Sequence, residues 1–101
     1  MFPRKPISAN IPDLPDLHIR KWSLPELFEL QELTQKDGGG NGRFSLEVTR
    51  RILALSLSDA NGNRIVPDGR EAETDGLGSD VGALLTLAFR HNGMGPDAKN
   101  G

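Results

Sequence analysis

A mainly α fold, a small domain of about three helices with room for a short N-terminal strand or hairpin, is predicted by three observations. Apolar residues recur at three- and four-residue spacing over 24–33, 48–55 and 81–89. Each segment follows a serine suited to capping a helix: Ser23, Ser45 and Ser79. Glycine-rich or acidic stretches at 37–43 and 67–78 separate the segments.

In chain order, residues 1–16 contain Pro3, Pro6, Pro12 and Pro15, which forbid a regular helix, so a flexible, extended or disordered tail is expected. Residues 17–22 partly alternate and suit a short edge strand. Ser23 and Glu26 form a capping box, and Pro25 fits the first turn, where its missing amide has no partner to lose. Leu24, Leu27, Phe28, Leu30 and Leu33 then give one broad apolar face, on a helix ending near Lys36.

The loop 37–43 leads to Ser45 and a central helix carrying Val48, Ile52 and Leu55, expected to run to about Leu57. Leu53, Leu55 and Leu57 also alternate with Ala54, Ser56 and Ser58, and Asn61 and Gly62 suit a hairpin turn into Arg64; helix followed by turn is preferred. Residues 67–78 should be loop with at most one irregular helical turn near 70–74. A third helix capped by Ser79 carries Val81, Leu84, Leu85, Leu87, Ala88 and Phe89, and Gly93 suits the left-handed position that ends it. The predicted organisation is a tail over 1–16, one helical domain over 17–94 and a disordered tail over 95–101.

A chain of 101 residues supports one small domain, burying roughly 60 to 70% of its unfolded surface, so a partner or self-association would add stability. The net charge of -2 offers no general attraction to nucleic acid or anionic lipid. With Asp59, Asp68, Glu71, Glu73, Asp75 and Asp80 in one stretch and Arg43, Arg50 and Arg51 in another, opposed patches are available to steer self-association. The absence of cysteine excludes disulfides and thiolate metal sites. No apolar h-region opens the chain and its longest apolar run is 52–55, so neither a secretion signal nor a membrane span is expected.

No chemistry emerges from the motifs. The loop 38–43 lacks the Lys that a phosphate cradle needs after Gly42. Asp59, Asn61 and Asn63 open a calcium-loop frame, which fails where Arg64 replaces the required Gly and Arg70 the bidentate Glu. His18 and His91 lack further ligands at metal spacing, and His91 reads as a helix C-terminal residue that favours the dipole when protonated. We expect no catalytic, cofactor-binding or metal residue, and no enzyme. Trp22, Phe28, Phe44 and Phe89 suit the core of a monomer, but the wide helical faces also leave an apolar groove for a partner helix.

The segment ILALSLSDANGNRIV over 52–66, the acidic linker, and a Leu-rich helix ending AFRHNGM resemble the small tail assembly chaperones of long-tailed (siphovirus-like) bacteriophages or prophages. The matching residues are Leu55, Ser56, Leu57, Asp59 and Gly62, then Asn92, Gly93 and Met94; the departures are His91, where Leu is usual, and a linker without the Phe and paired acids often found there. The resemblance spans 17–94. It implies a non-enzymatic, mostly helical protein of the bacterial host cytoplasm that keeps the tape measure protein soluble, helps tail tube subunits polymerise, self-associates, and is absent from the finished virion.

The resemblance also implies a longer form made by a minus-one ribosomal slip, and Ala98, Lys99 and Asn100 permit a slippery A AAA AAC heptamer. Leu27, Phe28, Leu85 and Phe89 are the candidate client contacts, with the second and third helices as core. A structural virion component, such as a head-tail connector or tail terminator subunit, is the alternative from another class. A small enzyme or nucleic-acid regulator ranks third, since no site and no basic reading helix is found.

Overall fold

The computed structural model describes residues 5–36 and 44–93; the loop 37–43 and the tail 95–101 lie outside them. It is mainly α, with three helices and a small three-stranded antiparallel sheet. Strand β1 (Ile7–Ser8) pairs with β2 (His18–Ile19), Ile7 opposite Ile19, and β3 (Leu57–Ser58) takes the other edge of β2. The strand expected at an edge is therefore the central one.

The segment expected as a flexible tail is part of the packed domain over 5–16, with Ala9 and Ile11 buried. Its prolines prevent a helix but build turns. The Leu14 amide donates to the Ile11 carbonyl at 2.9 Å, and the Leu17 amide to that of Leu14 at 3.1 Å. Pro12 and Pro15 thus occupy the second corner of two successive turns, where their fixed φ is an advantage, and Asp13 and Asp16 follow each.

Helix α1 (Leu24–Lys36) starts as expected: Glu26 accepts the Ser23 amide at 2.7 Å, while the Glu26 amide reaches the Ser23 hydroxyl at 3.4 Å. Helix α2 (Leu46–Ser56) is capped by Ser45, which accepts from the Val48 amide at 3.2 Å. The helix stops at Ser56, one residue before the expected end, because Leu57 turns extended and enters β3. Part of the hairpin alternative is also realised: Asp59 and Asn63 close a turn containing Gly62 at φ 85°, and Ser58 bridges to Arg64.

Residues Glu71–Asp80 form a 3-10 segment interrupted at Gly78 (φ 55°), longer than the single turn expected. Helix α3 (Val81–His91) continues directly from it. Ser79 therefore does not cap α3; Asp80 holds that position in a helical conformation without a side-chain bond, because the preceding 3-10 turn already directs the chain. Gly93, at φ 74°, ends the helix as predicted.

The core lies where α2 meets the sheet and α3: Ile19, Trp22, Leu30, Ile52, Leu53, Leu55, Leu57, Leu84 and Ala88 are all buried. The buried Ser56 is satisfied, donating to the Ile52 carbonyl at 2.6 Å and accepting from Trp22 Nε1 at 2.9 Å. Asn92 joins the end of α3 to the β2–α1 connection, accepting the Trp22 amide at 2.8 Å and donating to the carbonyls of Ala88 and Arg20.

Candidate functional site

The four residues expected to contact a client separate into two places. On α1, Phe28 is 60% exposed, as is Leu24 one turn before it, while Leu27 turns partly inward against the core. The single broad face expected on this helix is thus divided: Leu30 is buried, Leu27 and Leu33 are half-buried, and Leu24 with Phe28 face solvent. Residues at i and i+4 lie on one side of a helix, so the two exposed side chains make a continuous apolar strip.

Leu85 and Phe89 are partly buried on α3, where they line a groove of about 430 Å³ with Phe44, Thr49 and Val81. Phe89 is held from both sides, edge-on to Trp22 and tilted against Phe44, each at a centroid distance of 5.9 Å. Such contacts favour a fixed ring. Leu85 and Phe89 therefore support the core while showing part of their surface, and Phe28 with Leu24 supplies the freer apolar contact.

Of the opposed charges expected to steer self-association, Arg50 and Arg51 are matched within the chain by Asp68, Glu71 and Asp75. Arg51, on α2, reaches Glu29 at 2.5 Å, Asp68 at 2.7 Å and Glu71 at 3.0 Å; Arg64 shares Asp68 at 2.9 Å, and Arg50 pairs with Asp75. Arg43 lies outside the described residues. Hydrogen bonding to Arg51 and Arg64 holds the Asp68 carboxyl below its usual range, and Arg50 does the same for Asp75. Glu71 is lowered first by backbone amides, its own and that of Gly69, and then by Arg51. Burial acts to raise Glu26, but the Ser23 amide and Arg20 outweigh it and leave that group lowered as well.

The Asp59 carboxylate accepts the amides of Asn63 at 3.0 Å and Asn61 at 2.8 Å, so the calcium-like spacing builds a turn. Among the described residues no group of three His, Asp or Glu is placed to hold a metal. His91 departs from its expected role: burial, then the charge of Lys21, lowers its pKa against a backbone hydrogen bond at Lys5, so the neutral ring is favoured near pH 7. No helix among the described residues is long and apolar enough to cross a membrane.

Two features of the surface were not anticipated from the sequence. The exposure of Leu24 depends on which neighbour α1 receives, and no local signal carries it. The tandem Pro-Asp corners at 12–13 and 15–16 have a local signal, the repeat P-D-L, which reads as two turns once proline is treated as a turn former. Compared with known protein families, curated proteins and solved structures, the chain has no match.

Proposed function

We propose that the protein is a non-enzymatic tail assembly chaperone of a long-tailed phage or prophage, acting in the bacterial cytoplasm, where it binds the tape measure protein and assists tail tube polymerisation. The observation that carries the reading is the strip of Leu24 and Phe28, both 60% exposed on a helix that the rest of the fold already holds. A long helical client has apolar stripes that aggregate in water, and a short apolar strip on a rigid helix offers them a reversible partner. The resemblance over 52–66 and 92–94 supports a tape measure protein as the client. Leu85 and Phe89, which line the groove on α3, extend the contact where the client is long enough to reach both.

The test is co-expression of the full chain with the product of the longest helix-coding frame beside its gene. The chain should raise the client's soluble fraction, and Phe28→Asp should remove that effect while leaving the helical circular dichroism intact. Purified particles should lack the protein; its stoichiometric presence there would instead make it a structural virion component.

A further inference from the structure

A second surface lies away from the helices, between the tandem turns of 11–17 and the turn of 59–63. Leu14 is 41% exposed and Ile65 is 47% exposed, and with Leu17 they line a groove of about 420 Å³. Three carboxylates, Asp13, Asp16 and Asp59, line the same groove, and no cationic residue does. This contrasts with the α2 side of the molecule, where Glu29, Asp68, Glu71 and Asp75 are each matched by an arginine. Asp13 and Asp16 have no ion pair among the described residues, and Asp59 is engaged only by neutral partners of its own turn.

We propose that this groove docks a segment of another protein in which a bulky apolar side chain stands beside a lysine or arginine. Leu14, Leu17 and Ile65 would remove the apolar side chain from water, and the carboxylates would meet the adjacent cation. The same charges disfavour acidic segments, nucleic acid and anionic lipid. The groove involves none of the α1 or α3 residues invoked above, and the proposal stands whether or not the chaperone reading does.

The experiment uses the full chain and two labelled peptides, acetyl-Lys-Leu-Phe-Lys-Leu-amide and its Glu-for-Lys counterpart, followed by amide chemical shifts and fluorescence anisotropy. The lysine peptide should bind saturably and shift the amides of Asp13, Leu14, Asp16 and Leu17 and those of 58–65. Asp13→Asn with Asp16→Asn should weaken it about fivefold, as should a rise in salt from about 50 to 300 mM. Leu14→Ser with Ile65→Ser should abolish binding without changing the circular dichroism, since both side chains are already partly in water. The proposal is overturned by no binding at millimolar peptide, by equal binding of the glutamate peptide, by shifts confined to another face, or by a concentration-dependent dimer that the Leu14 and Ile65 variant dissolves.

Discussion

Helices α1 and α2 are each entered through a serine whose hydroxyl accepts a first-turn amide, yet α2 buries six of its residues and α1 only Leu30. The caps set where each helix begins and have no bearing on how much of it is covered. Helix α2 meets α1, α3 and the 3-10 segment and runs straight into the sheet, so it is surrounded. Among the described residues α1 packs chiefly on α2, and Leu24 and Phe28 stay exposed. One helix holds the fold together and the other offers a surface.

That contrast is sharpest in a pair of truncations. Ile52→Ala, at a fully buried position, should cost about 2–5 kcal/mol in urea unfolding, the usual range for emptying a tight core site. Ser56→Ala removes the hydroxyl that accepts from the Trp22 indole N–H and should cost about 1–3 kcal/mol, with a change in tryptophan fluorescence. If either substitution proved neutral, α2 would not be the centre of the structure.

Capping separates α2 from α3 in the same way. Ser45→Ala should cost about 1 kcal/mol by thermal unfolding, because the Val48 amide loses its acceptor. Ser79→Ala should change stability by less than about 0.5 kcal/mol, since the start of α3 is set by the 3-10 segment. Phe28→Ser should be equally mild on stability and should act on client binding alone, which measures the contrast between α1 and α2 directly.

Acid should loosen the contacts that hold the start of α1 to Arg20 and those that join residues 68–75 to α2. Glu26, Asp68, Glu71 and Asp75 are held below the ordinary 4.5 for Glu and 3.8 for Asp, so each contributes stability that is present above those values. As pH falls through them toward the lowered folded-state values, the unfolded chain takes up more protons and that stability is lost. The urea midpoint should therefore decline gently below about pH 6.5, where His91 takes up its proton in the unfolded chain before it does so in the fold, and more steeply below about pH 4.5 as the carboxylates follow. Arg51→Met should flatten part of that decline, since it removes one partner of Asp68 and one of Glu71 while Arg64 and the backbone amides remain.

The candidate surface was legible only in part. Phe28 could be named because helical spacing places it on an apolar face, but that face comprised five residues and the fold covered three of them to differing degrees. Phe89 could be named by the same rule and proved to be packed between Trp22 and Phe44, which are distant in sequence. Helical periodicity identifies apolar residues without indicating which of them find neighbours.

The sequence by itself determined what acts over a few residues. The Ser23–Glu26 box, the Ser45 cap, the Asn61–Gly62 turn and the left-handed Gly93 all rest on contacts or dihedral limits within about four positions, and all are present in the fold. The tandem Pro-Asp turns belong to the same class, since each closes within four residues. Only the tertiary structure decided that residues 5–16 pack, that His18–Ile19 is a central strand, that Arg50 and Arg51 pair with Asp68, Glu71 and Asp75, and that Leu24 and Phe28 remain exposed. Those outcomes depend on pairings well beyond one turn, such as Ser8 with His18, Arg51 with Asp68 at a separation of 17, or the Trp22 amide with Asn92 at a separation of 70. Such pairings follow from the shared geometry of the packed elements, which no local window contains.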